Sequence, residues 1–262
     1  MNRHRLNCPV SLLAVLLAAA LLTGCAGTQT INGEVNPDPY EETNRSFYKF
    51  NDALDRHIMI PVAENYVKAM PEPVRDSVTN FFDNLEYLNV ILHSFLQGKL
   101  GQGLSDLTRF VVNSTVGVGG LFDVATPMGI KENDEDLGQT LAVWGVEPGA
   151  YLYIPFLGPY TARNSPDVAS SYFANPFSYI STLYLLPVTF LNLINDRANL
   201  LEASEFVNEA SIDPYAFTRE AYLQQREYLI HDGNPPVDDI FDEYLFDMDA
   251  EEEEEEPKLI IK

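Results

Sequence analysis

The chain has 262 residues, with 16 Lys plus Arg against 39 Asp plus Glu and a formal net charge of −23. Such an excess of acid argues against a nucleic-acid partner and against electrostatic attraction to anionic lipid head groups, because both require basic surface. Its two cysteines, Cys8 and Cys25, lie in or at the edge of the N-terminal segment, so the mature body has no disulfide and no cysteine nucleophile or metal ligand.

Residues 1–24 have the anatomy of a secretory signal. Arg3 and Arg5 flank an apolar core from Ser11 to Leu22, and Leu22-Thr23-Gly24-Cys25 supplies the small-residue stop. The apolar core is too short for a comfortable bilayer span. The Leu-x-Gly-Cys ending resembles the bacterial lipobox, which implies a diacylglyceryl group on the Cys25 thiol and an acyl group on its freed amine. An ordinary signal with a chance cysteine is the competing reading, but the cysteine stands where cleavage should occur. Each buried methylene contributes about 0.8 kcal/mol, so two or three acyl chains anchor firmly. Ala26 stands where an Asp would signal inner-membrane retention, so the sorting rule that goes with the lipobox points to the outer membrane. No other cofactor and no metal is expected.

Removing Arg3 and Arg5 with the signal leaves 14 bases against 39 acids, a formal net charge of −25. Residues 25–37 read as a polar tether ending at Asp38-Pro39, a turn or helix-start signal. No repeat or linker interrupts residues 38–233, which read as one helical domain of about 195 residues. A helix is expected from Glu41 to about Asp55, with Phe47, Phe50 and Leu54 on one face. The clearest runs from Pro73 to Gln97, where Val74, Val78, Phe81, Leu85, Leu88, Leu92 and Phe95 form one stripe and Gly98 ends it. A third follows Gly103, with Leu104, Leu107, Phe110 and Val111 apolar and Asp106 and Arg109 turned away from them.

Gly117-Val118-Gly119-Gly120 lacks the third glycine of a dinucleotide fingerprint and has no following Lys-Ser or Lys-Thr, so tight packing or a turn is the better reading. Gly138 to Pro159 reads as an apolar, irregular connector with Glu147 its only charge. Val168 to Asn195 is 28 residues without Asp, Glu, Lys, Arg or His. Asn175-Pro176 and Pro187 interrupt it, and Tyr172, Tyr179 and Tyr184 suit an interface. A kinked helical pair lying within one leaflet is expected rather than a single transmembrane helix; the composition also allows a central helix of a soluble core. Asp238 to Glu256 holds 12 acids and no base, so residues 234–262 read as a solvated, disordered acidic tail. Enzyme signatures are missing: no Gly-x-Ser-x-Gly and no His-Glu-x-x-His occurs, and His57, His93 and His231 are isolated. No catalytic residue is assigned, although a triad assembled in space needs no adjacency.

A series of blocks in one order carries a family resemblance. It starts with Asp38-Pro39, Asn44-Arg45-Ser46-Phe47-Tyr48-Lys49-Phe50-Asn51 and Leu54-Asp55, and goes on through Asn84-Leu85, Leu96-Gln97-Gly98 and Arg109-Phe110 with Asn113, Thr115 and Gly117. Gly120, Asp123, Ala125, Gly138-Gln139-Thr140-Leu141, Trp144-Gly145, Gly149 and Tyr151 follow, then Pro155-Phe156-Leu157-Gly158-Pro159, Arg163, Arg197 and Asp213-Pro214-Tyr215. This pattern resembles the MlaA (VacJ) phospholipid-transport lipoproteins, with small departures at Thr43, Leu88 and Asn164. The acidic tail lies outside it.

The resemblance implies an all-α, ring-like protein in the periplasmic leaflet of the outer membrane, not an enzyme. Its amphipathic channel would accept phospholipids that strayed into the outer leaflet and pass them to a soluble periplasmic carrier, with porin trimers holding the lipoprotein. The connector from Asp123 to Gly138 is the expected gate, flanked or punctuated by Gly119, Gly120, Gly129 and Gly138 and charged from Lys131 to Asp136; a plain solvent loop is the bland reading. The alternative function is a structural lipoprotein that stabilises a porin assembly without moving lipid.

Overall fold

The computed structural model describes residues 30–31, 34–180 and 182–236. The signal, Cys25, most of the tether and the acidic tail lie outside them. Strands β1 (Thr30–Ile31) and β2 (Glu34–Val35) pair antiparallel ahead of the helices.

Helix α1 (Glu41–Leu54) places Glu41 and Glu42 in its first turn, where they complement the positive end of the helix. It continues through a π-helical turn, Asp55–Met59, into α2 (Ile60–Ala69). Pro61 accounts for that widened turn: it has no N–H to donate back and its ring crowds the preceding carbonyl. Helix α3 (Glu72–Leu96) has Pro73 in its first turn and is followed by Gly98 at φ 79°. Helix α4 (Leu100–Thr115) folds back along it, since Ser94 bonds Asp106 and Asn84 bonds Ser114. It starts earlier than expected, because Gly103 lies inside it and leaves room for the Phe95 ring.

A 3₁₀ turn at Thr126–Met128 and helix α5 (Leu137–Val143) follow. Strands β3 (Tyr151–Ile154) and β4 (Gly158–Thr161) then pair antiparallel, Tyr151 opposite Thr161 and Ile154 opposite Gly158. This hairpin corrects two expectations, the irregular connector and the purely α fold: the protein is mostly helical with short hairpins. Tyr151 and Tyr153 point inward, but Leu152 and Ile154 between them are also apolar, so the two-residue period is masked in the sequence. The uncharged stretch divides at Asn175-Pro176 into α6 (Asp167–Ala174), a 3₁₀ turn (Pro176–Tyr179) and α7 (Thr182–Asn199), with Pro187 inside α7. Among the described residues no helix is long and apolar enough to cross a membrane. Helices α8 (Leu201–Ala210) and α9 (Pro214–Ile230) complete the described chain, α9 capped by Asp213.

The interior is polar. Asn84, Asn89, His93, Ser94, Asp106, Arg109, Asn113, Gln139, Thr140 and Asn195 are all buried. Among the described residues, buried apolar side chains gather in small clusters, one of Tyr87, Val90 and Ile91 and one of Tyr151, Tyr153 and Tyr215. The helices are amphipathic, but reversed relative to a water-soluble protein. On α4, Asp106 is 0% and Arg109 5% exposed, whereas Leu100 is 63% and Leu104 59% exposed. The apolar stripe of α3 likewise leaves Val74, Leu92 and Phe95 exposed, and α1 exposes Phe47 and Phe50.

Candidate functional site

Because the polar faces turn inward, two cavities along α3 are lined chiefly by polar groups. A small one of about 30 Å³ lies between Asn80, Asp83, Asn84 and Tyr87 of α3, Arg109 and Asn113 of α4, and Asp123 and Glu132 of the connector. Further along α3, a cavity of about 160 Å³ is bounded by Glu86 and Asn89, by Asp134, Glu135 and Asp136 of the connector, and by Asp167 and Ser171 of α6. A wider cavity of about 560 Å³ has mixed walls: Leu54, Met59, Phe156, Leu157, Leu193 and Leu200 are apolar, while Asn51, Asp52, Asp55, Asp196 and Arg197 are polar. Asp196 joins these spaces electrostatically, since its charge helps raise the pKa of both Asp83 and Glu86.

The α3 carboxyls show what such an interior does to charge. Burial among neighbouring atoms, with Asp196 and Asp83 nearby, pushes Glu86 up to about 7. Burial, Glu132 and Asp196 push Asp83 up to about 6. Both side chains reach solvent yet are crowded on several sides, as expected of groups on a cavity wall. Asp134 and Asp196 are raised as well, again chiefly by burial. Asp123 goes the other way. Burial opposes ionisation there, but hydrogen bonds from Thr126, Asn113 and Arg109 outweigh it and hold the carboxyl at about 2.

The connector is tied down along its length. Arg109 donates through Nη1 to Thr126 Oγ1 at 2.9 Å and to the Ile130 carbonyl at 3.0 Å, and through Nη2 to Asp123 at 2.9 Å and Glu132 at 3.1 Å. Asn113 Oδ1 accepts from the backbone N–H of Val124 and of Ala125. Asn133 donates to Asp106 at 2.7 Å, and Tyr87 and Ser94 donate to the same carboxylate. Of the charged tip, Lys131, Glu132 and Asp134 are exposed, whereas Glu135 is buried and bonded by Lys99, Gln97 and Gln102.

The four candidate glycines do different work. Gly119 and Gly129 have φ of 73° and 82° with open space where a side chain would stand. Gly120 presses on Asn84, where an added Cβ would lie 2.8 Å from the side chain, and Gly138 presses on Asn164 at 2.3 Å. Cys25 lies outside the described residues. His93 is buried, with Nδ1 2.9 Å from Thr140 Oγ1 and Nε2 2.7 Å from Ser170 Oγ. Ser170 donates to Asn89 Oδ1, and a neutral hydroxyl stands at Nδ1 where a catalytic triad places a carboxylate. Burial lowers the His93 pKa, so the ring is neutral at pH 7.

Asp83, Glu86, Asp134 and Asp196 were missed as site residues in the sequence. Part of the signal was there: Asn80, Asp83, Asn84 and Tyr87 follow helical spacing along one flank of the apolar stripe. That side reads as the solvated face when the outside is assumed to be water.

Comparison with known proteins gives this architecture a family. Residues 36–229 match the family model for the MlaA lipoprotein. The chain belongs to the MlaA lipoprotein family. It is 35% identical over 250 residues to the intermembrane phospholipid transport system lipoprotein MlaA of Escherichia coli (strain K12), covering 92% of this chain and 98% of that one. An uncharacterized protein of Rickettsia bellii (strain RML369-C) is 37% identical over 205 residues, covering 77% of this chain and 80% of that one. A solved structure from work on the structural basis for maintenance of bacterial outer membrane lipid asymmetry matches with a TM-score of 0.66 and 31% identity, covering 74% of this chain and all of that one. The family match spans the helices, the hairpin and the connector that form the polar interior.

Proposed function

We propose that this protein is an outer-membrane lipoprotein of intermembrane phospholipid transport. It removes phospholipids that have strayed into the outer leaflet, lets them pass through its interior, and yields them to a soluble periplasmic carrier. The observation that carries this reading is the reversal of the helices. Apolar surface on α1, α3, α4, α6 and α7 faces outward, and polar groups line the cavities within. Exposed apolar area of this extent is unfavourable in water at about 25 cal/mol per Å² and is relieved against lipid tails or a protein partner. A ring-like body set in the periplasmic leaflet, anchored by the acyl chains of Cys25 and held by porin trimers, satisfies that surface.

Passage is passive. A phospholipid keeps its tails against apolar surface while its head group follows a polar path, and the polar face of α3 and the mixed walls of the wider cavity offer both. The connector from Asp123 to Gly138 is the wall segment we read as the gate, which opens only when its bonds to Arg109 and Asn113 break, with Gly119 flanking it and Gly129 turning within it. A disulfide across the connector is expected to trap transfer in one state, and normal transfer by the locked protein would count against a gate.

The decisive experiment is deletion of the gene and measurement of surface-exposed phospholipid. Accumulation in the outer leaflet is expected; an unchanged leaflet sinks the transport reading and leaves a structural lipoprotein. Release of fatty acid from phospholipid by the purified protein would point to an enzyme instead. Cys25→Ser is expected to mislocalise the protein before it alters the interior.

A further inference from the structure

The two halves of the connector are held differently. The first half is bonded by Arg109 and Asn113 of α4, which are near it in sequence. The second half shares some of these ties to α4, through Arg109 to Glu132, Asn133 to Asp106 and Gln102 to Glu135, and is bonded in addition by cations that tie it to α9, far along the chain. Arg226 of α9 donates to both oxygens of Asp136, through Nη1 at 2.5 Å and Nη2 at 2.9 Å. Asp136 also caps α5 by accepting from the Gln139 N–H at 2.7 Å. A guanidinium can only donate, so the Asn164 amide must present its oxygen to Arg226. In that orientation Asn164 accepts from Nε at 2.7 Å and donates to Thr161 at 2.6 Å. Gly138 beds on the same amide. A second cation, Lys99, bridges Glu135 at 2.7 Å to Asp232, just past the end of α9.

Glu135 and Asp136 both line the 160 Å³ cavity. The other ion pairs of α9 and its cap go elsewhere: Arg45 of α1 bonds Asp213, and Arg219 bonds Asp38. We propose that Arg226 and Lys99 form a clasp through which α9 positions the second half of the connector, and so sets the width of the carboxylate-walled cavity. Arg226 is thus a positioning residue. Its side chain is 12% exposed, and its bidentate pair fixes direction as well as distance. The opposite face of α9 presents Glu220, Gln224, Gln225 and Glu227 to solvent. A displacement of α9 must therefore break the clasp or carry Glu135 and Asp136 with it. The inference rests on reading that cavity as part of the lipid path.

Amide hydrogen exchange on the full lipidated chain in detergent tests the clasp, with phospholipid transfer between vesicles measured in parallel. Arg226→Gln is expected to speed exchange at residues 135–140 by about tenfold, leaving residues 106–113 of α4 unchanged. Arg226→Lys keeps the charge but loses the fork and should fall between, which preserves the test if the first variant fails to fold. Arg45→Gln loosens α9 at its other end and should leave the connector unchanged. Unaltered exchange at 135–140 in Arg226→Gln, or an equal rise in Arg45→Gln, would overturn the clasp. Transfer should change at least about threefold in Arg226→Gln alone, following the amide opening; opening without any change of transfer overturns the link to cavity width. If even the unaltered protein moves no phospholipid while the exchange pattern holds, the lipid reading fails and the clasp stands.

Discussion

The α3–α4 pair and the α9 region face opposite problems within one chain. In α3 and α4 Val74, Leu92, Phe95, Leu100 and Leu104 point out, while Asn84, His93, Asp106 and Arg109 point in beside the small Tyr87, Val90 and Ile91 cluster. In α9 the order is the ordinary one: Tyr215 packs inward against Tyr48, Tyr151 and Tyr153, while Glu220, Gln224 and Gln225 face out. Ring contacts at 5.4 to 6.5 Å, mostly edge-to-face, make that cluster a small aromatic core. The difference teaches that no single rule of inside and outside holds for this protein. Each helix is legible only once its surroundings are known, and the two regions should therefore respond in opposite ways to the same kinds of substitution.

The largest effect is expected inside the α3–α4 pair. Arg109 is buried among four acceptors, so Arg109→Met takes the cation from Asp123, which keeps its bonds from Asn113 and Thr126, and the side-chain donor from the Ile130 carbonyl. Breaking one side of a buried pair typically costs about 3–5 kcal/mol. Unfolding of the protein in detergent should show a loss of that size, with the connector freed first. A cost below about 1 kcal/mol would mean that Arg109 behaves as a surface ion pair.

Next come substitutions on the outer faces. Leu104→Glu replaces an exposed leucine, a change that is close to neutral on a water-facing helix. If α4 lies against lipid, the same change costs up to about 3 kcal/mol, the order found for an acid at the centre of a bilayer. Measured as partition of the Cys25→Ser protein between vesicles and buffer, Leu104→Glu should release it and Gln224→Glu should not. Equal behaviour of the two variants would erase the distinction between the regions.

The raised carboxyls predict a smaller effect. For a carboxyl whose folded pKa lies above its unfolded value, stability is full below the unfolded pKa and is lost as pH rises through the folded one. For Glu86 that window runs from about 4.5 to about 7, and for Asp83 from about 3.8 to about 6. The protein should therefore lose some stability between about pH 4 and about pH 7, beyond what its other groups impose. Glu86→Gln should flatten the upper part of that loss and melt higher than the unaltered chain at pH 7.5. A pH profile unmoved by Glu86→Gln would show that Glu86 is fully solvated.

Much of the fold was legible in the sequence, and the failures have one cause. The expected ends of α3, Pro73 and Gln97, each fall within one residue of the observed ones, and Asn175-Pro176 marks the break between α6 and α7. The spacing of Leu104, Leu107 and Val111 gives the outward apolar face of α4, and Asp106 and Arg109 do lie on the other side, but Phe110, expected with the leucines, packs inward against Tyr87, Val90 and Ile91. What periodicity cannot supply is which side is the interior, because it reports amphipathicity without naming the solvent. For that reason the cavity carboxyls look like solvated surface residues in the sequence, whereas glycines are conspicuous in any sequence. The β3–β4 hairpin was hidden by a different fact: with both of its faces apolar, alternation disappears. Nor could the chain order of residues reveal that Asp136 meets Arg226, since that contact joins positions 90 apart.

The smallest predicted effect lies in the aromatic core and separates the regions most finely. Tyr151 is 0% exposed, and its hydroxyl has no hydrogen-bond partner among the described residues. Burial, with Tyr215 and Tyr153 close by, raises its pKa, so the hydroxyl stays neutral. A buried polar group without a partner costs free energy, and removing it without changing the ring relieves that cost. Tyr151→Phe should accordingly be neutral or stabilising by up to about 1 kcal/mol in detergent. The matching change in the polar interior, Tyr87→Phe, removes a hydroxyl that donates to Asp106 at 3.1 Å and accepts from the Asn133 N–H at 3.0 Å. That variant should destabilise by about 1–3 kcal/mol, because it leaves partners behind. The same atom deleted from the same residue type thus changes sign between the two regions. Were Tyr151→Phe the costlier of the pair, the aromatic cluster would have to hold a water or a ligand on that hydroxyl, and the region would be a polar site rather than an ordinary core.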